Sequence, residues 1–391
     1  MEAAPLLQPR GDGAAATAAK GWRARQAAVE WWVESKKLWR IVGPAIFQRI
    51  ALYGVNVVSQ AFIGHLGDLE LAAFSIAATV VAGFNFGFLS QLKNWVTAVT
   101  AGITLVIHVV ATYLLVQHFQ LGIVGAVVAA DLSWWLVVLG QFLYVVGGGC
   151  PLSWKGFSME AFADFWEFIK LSSASGVMLC LENWYYRVLV LLTGYLNNAE
   201  IAVDALSICL TINGWELMIP LGFLAATGVR VANELGAGSG KGARFAIVVS
   251  VTTSVLIGLF FWCVILYFND QFALLFTSSE VVLSAVHNLS LLLAFTVLLN
   301  SVQPVLSGVA VGSGWQALVA YVNIGSYYLV GVPLGVILGW PLRFGVGGIW
   351  SGLIGGTAVQ TLVLAYLTTR CDWDEEAKKA STRMRVWAGS K

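Results

Sequence analysis

The stretch FAIVVSVTTSVLIGLFFWCVILYF, Phe245–Phe268, runs for 24 residues without a charged side chain. About 20 such residues, coiled as a helix, cross the hydrocarbon of a bilayer. Nine more long, predominantly apolar runs stand along the chain: roughly 41–64, 71–89, 95–116, 123–146, 168–194, 201–228, 281–311, 318–338 and 346–367. Of the 391 residues, 58% are hydrophobic and 11% charged, whereas a soluble domain carries about 25% charged residues. Lipid must therefore be the solvent, and every backbone polar group must be satisfied inside helices or a closed barrel. Barrel strands read as short alternating segments. These runs are long and continuous, so the chain is expected to be an all-α polytopic membrane protein with about ten spans. Its 41 glycines and 17 tryptophans suit closely packed helices with aromatic anchors at the interfaces.

The flanks set orientation. Residues 1–40 are polar, Ala-rich and basic (Arg10, Lys20, Arg23, Arg25, Lys36, Lys37, Arg40). They predict a largely disordered cytoplasmic tail, with the first span as an uncleaved signal anchor. Basic residues then recur in alternate loops: Lys93, Lys155, then Arg230, Lys241 and Arg244, and finally the tail from Arg370 to Lys391. The opposite loops carry Asp68, Glu70, Glu200, Asp270 and Glu280, with Arg343 the exception. An even number of spans explains this alternation. The expected organisation is a tail at 1–40, a first lobe at 41–147, a linker at 148–167, a second lobe at 168–369 and a tail at 370–391. A net charge of +1 implies no polyanionic partner, so no nucleic acid.

The chain repeats itself. GHLGDLELAAFSIA (Gly64–Ala77) matches GYLNNAEIAVDALSIC (Gly194–Cys209) at Gly64/Gly194, Leu66/Leu196, Glu70/Glu200 and Ala72/Ala202. After a two-residue insertion Ser75 and Ile76 match Ser207 and Ile208. A weaker pairing sets LGIVGAVVAA (Leu121–Ala130) against FGVGGIWSGL (Phe344–Leu353). Two related halves with a site between them are a common transporter plan; chance likeness between Gly/Ala-rich spans is the other explanation. The early matches lie 130–132 residues apart and the later one 223. The first half therefore lacks about 90 residues between Ala77 and Leu121 that the second half contains. Two whole spans fit that length and preserve parity.

Ionisable groups at membrane depth are costly and point to function. The fifth span holds Glu182 and Arg187, whose spacing puts them on faces about 140° apart, so each needs a partner elsewhere. Glu182 suits proton uptake and release, or else a structural pair. Asp204 and Glu216 in the sixth span are further coupling candidates, Asp204 being near enough the end to be merely interfacial. Glu216 precedes Pro220, which frees a backbone carbonyl. Asn300 and Gln303 surround Pro304, and a proline inside a span kinks it; Pro220 and Pro304 are the expected hinges. Asn56, Gln60, Asp131, Trp184, Tyr185, Arg187, Asn213, Asn300 and Gln303 form the expected substrate cavity. An interhelical hydrogen-bond stripe is the alternative for the polar first span, which also carries Gln48 and Arg49.

The histidines (His65, His108, His118, His287) and cysteines (Cys150, Cys180, Cys209, Cys263, Cys371) are scattered. They suggest core residues, not metal ligands or disulfides. No Walker A, GxSxG or strand-flanked GxGxxG sequence occurs, so neither an enzyme nor an ATP-driven pump is expected.

FIGHLGDLELAAFSIA, LENWYYRVLVLLTG, GVRVANELGAG (Gly228–Gly238) and QPVLSGVAVGSGWQ (Gln303–Gln316) resemble the plant DETOXIFICATION branch of the MATE (multidrug and toxic compound extrusion) family. The resemblance spans most of residues 35–370. It implies a two-lobe bundle of twelve helices and antiport of organic solutes against H⁺, or secondarily Na⁺, without a cofactor. Glu182 matches the family's second-lobe carboxylate, and Asn300 stands where many members have Asp. NSVQ is similar to the tonoplast group of flavonoid/H⁺ antiporters and vacuolar chloride conductances. EAAPLL (Glu2–Leu7) fits a vacuolar sorting signal, with the plasma membrane as the other destination. Here FNFGFL (Phe84–Leu89) runs straight into SQLKNW (Ser90–Trp95), which implies a first lobe of about four helices beside a second of six. The expected partners are a small organic solute and lipid, with the chain a monomer. A chloride conductance and a non-transporting isoform are the alternative activities.

Overall fold

The computed structural model describes residues 12–64, 94–149, 165–196, 199–274 and 279–389, together with 151, 156 and 276, giving backbone alone at 12–24 and 383–389. The span expected at Leu71–Leu89, most of the Gly64–Ala77 repeat, the Glu2–Leu7 signal and Cys150 lie outside the described residues.

Helix α1 (Asp12–Gly64) begins far earlier than its apolar run. The tail expected to lack order is helical from Asp12. Its composition explains why: Ala, Lys, Arg, Glu and Gln dominate, and these are strong helix formers. At 53 residues α1 is about 80 Å long, so it projects well beyond a bilayer. Helix α2 (Asn94–Tyr113) ends in a π turn at Leu114–His118, and α3 is Gly122–Tyr144.

α1 and α2 run parallel. Thr97 donates to Gln48 (3.1 Å) near one end, and Ser59 meets His108 (3.1 Å) eleven residues further along both helices. The chain between Gly64 and Asn94 thus joins opposite ends of the pair. α3 returns antiparallel. His108, fully buried, pins the three helices: Nε2 faces Ser59 and Thr112, and Nδ1 faces Ser133 at 2.9 Å. Ser133 gives its own proton to Ala129 O, so the imidazole bears its proton on Nδ1 and is satisfied while neutral. His108 is the core residue that its apolar setting suggests.

The second lobe comprises α4 (Phe165–Thr193), α5 (Ala199–Gly236), α6 (Gly240–Tyr267), the short α7 (Asn269–Leu274), α8 (Glu280–Asn300), α9 (Gln303–Ser313), α10 (Gln316–Asn323), a π segment (Ile324–Gly331), α11 (Val332–Gly339) and α12 (Gly345–Arg370). α13 (Trp373–Gly389) follows. Eight helical stretches among the described residues are long and apolar enough to cross a membrane. They coincide with eight of the ten expected spans. α4 occupies the position of a ninth and falls below that apolarity because it carries Glu182 and Arg187. Large apolar side chains such as Val106, Trp135, Phe260, Leu329 and Leu362 face outward, as lipid requires.

α1 also lies antiparallel along α5 and ties the lobes together. Leu38 and Val42 enter one apolar core with Phe223, Ala226, Val249 and Val305. Tyr53 packs edge-on to Trp215 (5.0 Å). At the end of the seam nearest α13, buried Arg230 binds Glu34 of α1 through Nε (2.8 Å) and Nη2 (2.6 Å), and Glu234 of its own helix (2.7 Å). α13 covers this end: Trp373 stacks on Trp315 (5.8 Å) and packs with Val231, Leu235 and Ala243.

Candidate functional site

Glu182 lies at the meeting point of four helices. Its carboxylate accepts from Gln303 Nε2 (3.1 Å) and Asn323 Nδ2 (3.4 Å). Each donor is placed by a break in regular helix. Pro304 has no N–H and stops α8 from continuing, so α9 starts afresh with Gln303 in its first turn. The carbonyl of Ser301, left in that break, is satisfied by Ser254 (2.7 Å). Asn323 closes α10 where the π segment begins, and π turns often mark functional positions. The network extends outward. Gln360 Nε2 donates to Asn323 Oδ1 (2.5 Å), Tyr327 donates to Gln360 Oε1 (2.5 Å), and Gln303 also reaches Ser307 (3.1 Å). Every donor to Glu182 is a neutral amide. Among the described residues no cation pairs with it.

A second chain runs beside the first. Tyr186 donates to Asn300 Oδ1 (3.1 Å), and Asn300 Nδ2 donates to Asn213 Oδ1 (3.0 Å). Glu216, one turn along α5 from Asn213, is buried, and neither carboxyl oxygen has a hydrogen-bond partner among the described residues. Tyr186 stands within electrostatic range of both acids. It lines a narrow cleft with Asn300, Trp350 and Thr357, with room for about one water.

The structure therefore brings Glu182, Gln303, Asn300, Asn213 and Glu216 into one polar interior. The other expected cavity residues lie elsewhere. Tyr185 is fully buried core: it stacks on Tyr327 (4.1 Å) and donates to Leu353 O (2.8 Å). Glycines at 331 and 356 make room for its hydroxyl. Trp184 and Arg187 are exposed on the far side of α4. Asn56 donates to Leu52 O of its own helix (3.4 Å), and the side chain of Gln60 lies outside the described residues. Asp131 on α3 and Asp204 near the start of α5 are exposed and apart from Glu182. α5 continues unbroken through Pro220, whereas the helix breaks just before Pro304. Sequence reasoning missed Asn323, Gln360, Ser307 and Tyr327. A lone amide in an apolar span demands a partner, and that signal was present at Asn323 and Gln360.

The MatE family matches residues 174–337, from α4 into α11. Protein DETOXIFICATION 27 and Protein DETOXIFICATION 26 of Arabidopsis thaliana are 50% and 48% identical, each over 92% of this chain and 92% of its own length. The chain belongs to the MATE family. The crystal structure of the eukaryotic MATE transporter AtDTX14 superposes with a TM-score of 0.82 at 27% identity, covering 90% of this chain and 99% of that one. This MATE protein is an integral membrane, all-helical secondary transporter of organic compounds and not an enzyme. The alignment with Protein DETOXIFICATION 27 extends over 449 positions. The 92% of this 391-residue chain that takes part is about 360 residues. About 90 positions of the relative thus face a gap, the same length that the spacing of the internal repeats assigns to the first lobe.

Proposed function

We propose that this chain exchanges organic solutes for protons, with Glu182 as the proton-binding group and Glu216 as a second acid in the same lobe, and that it serves the vacuolar membrane. The observation that carries the reading is the Glu182 environment. A half-buried carboxylate at membrane depth held only by neutral amides is costly when charged. Taking up a proton there breaks no ion pair, and losing it leaves a charge that a rearrangement of α9 and α10 can relieve. Proton occupancy thereby couples to helix position, because Gln303 and Asn323 both sit at helix breaks. The solute and the proton then compete for one conformational cycle. The test is uptake into reconstituted vesicles with and without an imposed pH gradient. Gradient-stimulated uptake in the wild type and its loss in Glu182→Gln support the reading. Uptake that ignores the gradient, or that survives the substitution unchanged, refutes it.

A further inference from the structure

Between Glu182 and Glu216 stands a set of polar side chains that can be ordered in two senses. Tyr186 lies one turn from Glu182 on the same face of α4, and Asn213 one turn from Glu216 on α5. Tyr186 Oη donates to Asn300 Oδ1 (3.1 Å), and Asn300 Nδ2 donates to Asn213 Oδ1 (3.0 Å). Asn213 and Asn300 are buried, and the narrow cleft lined by Tyr186, Asn300 and Thr357 borders the middle link. Neither carboxyl oxygen of Glu216 has a hydrogen-bond partner among the described residues. Of the residues one turn either side of it on α5 (Ile212, Asn213, Ile219, Pro220), only Asn213 is polar.

In the observed sense the phenol proton is spent on Asn300. The phenol oxygen is then open to a protonated Glu182, and the Asn213 N–H groups are left for an ionised Glu216. Turning both amides over keeps both links, because the oxygen and nitrogen of an Asn side chain are nearly alike in size and place. Asn213 then donates to Asn300, and Asn300 to the phenol oxygen. That frees the phenol proton for an ionised Glu182 and the Asn213 oxygen for a protonated Glu216. Other titratable groups stand apart. Facing Glu182 are the amides of Gln303 and Asn323, with the phenols of Tyr327 and Tyr328 bonded to Gln360 and Leu181 O. Of the helices packed on α5, α6 has no charged residue after Arg244, α9 has none, and α8 has only Glu280 and His287, three or more turns from Asn300. α1 meets α5 at Gly214 and Gly222 through Tyr53 and Ile46, with Arg49 between them on the same face. That side is about 120–160° round from Glu216.

We propose that Tyr186, Asn300 and Asn213 form a reversible hydrogen-bond bridge that makes Glu182 and Glu216 hold one proton between them. The three are positioning residues. Amides do not pass protons on: Glu216 takes its proton from water, Glu182 gives one to water, and the bridge transmits orientation alone. This rests on the reading of Glu182 as the proton-binding group and names its regulation: proton uptake at Glu216 drives release from Glu182.

Infrared titration of the purified protein in nanodiscs, following the carbonyl stretch of protonated carboxyl groups, tests it. The band lost in Glu182→Gln identifies Glu182. Glu216→Gln is expected to raise about tenfold the proton concentration at which Glu182 is half protonated. With the bridge cut by Asn300→Leu, the same change at 216 should move that concentration about threefold or less, the remainder being through-space repulsion. Tyr186→Phe keeps the ring, is expected to act alike, and serves should Asn300→Leu fail to fold. An equal shift with and without the bridge, or no shift of Glu182 in Glu216→Gln, overturns the proposal. Uptake with and without a pH gradient is measured in parallel. Gradient-driven uptake with equal shifts removes the bridge and keeps the transport reading; bridge-dependent shifts with uptake that ignores the gradient do the reverse.

Discussion

Replacing Glu34 by Gln tests how the lobes are held shut at the α13 end. Glu34 receives two of the three bonds that Arg230 makes to carboxylates, at 2.8 and 2.6 Å, and Glu234 receives the third at 2.7 Å. Removing one partner of a buried ion pair costs about 3–5 kcal/mol. Glu234 remains on the same helix as Arg230, so the expected loss is smaller, about 2–3 kcal/mol. Lys37 also loses its bond to Glu34 (3.3 Å), but it is exposed, and such a bond contributes little. The pair bridges α1 and α5, so this loss falls on the closed seam alone. At about 1.4 kcal/mol per factor of ten, the open population should rise roughly 30- to 100-fold. A cysteine at Ile46, which packs against Gly222 across the seam, reports it. Maleimide labelling at that position should accelerate by the same factor in Glu34→Gln, measured against the protein without the added thiol. Labelling within about 3-fold of the parent in both Glu34→Gln and Arg230→Gln would show that the ion pair does not hold the seam and refute the reasoning.

Two further outcomes follow from the α13 end. Trp373→Ala removes the stack on Trp315 and the bond from Nε1 to Thr368 O (3.1 Å); a buried Trp→Ala costs about 3–5 kcal/mol, so α13 should undock and trypsin should cut after Lys378 or Lys379 at least 10-fold faster, with a variant as resistant as the parent counting against the packing. Burial, followed by Glu376 and Asp372, pushes the Cys371 thiol up to about 11. The thiolate is the reactive form, so alkylation of a variant retaining only Cys371 should be slow at pH 7.5 and rise about tenfold per pH unit up to that value, whereas a plateau near pH 9 would contradict the burial.

Much of the fold was legible because lipid imposes a simple rule. Runs such as Phe245–Phe268 can only be helices, and the shortfall of about 90 residues that the repeat spacing implied equals the number of positions by which the alignment with Protein DETOXIFICATION 27 exceeds this chain's share of it. The helical reach of α1 back to Asp12 was not legible by that rule, since its first turns are polar and obey helix propensity instead. At the site, Glu182, Asn300 and Gln303 stood out because a charge or a proline flags them. Asn323 and Gln360 did not: each is one amide among apolar neighbours, and their convergence is a fact of packing between helices 37 residues apart in sequence. Tyr185 went the other way. It was expected in the cavity, yet three residues turn a helix about 300°, which leaves Tyr185 about 60° from Glu182, and there it stacks on Tyr327 in the core.

The central claim is that Glu182 exchanges a proton as solute binds. Proton release on adding a transported solute to the purified protein, followed with a pH dye in weakly buffered solution, tests it most directly. The account predicts release of about one proton per bound solute in the wild type and none in Glu182→Gln. Equal release from both proteins, or solute binding to the wild type with no proton released, would contradict it.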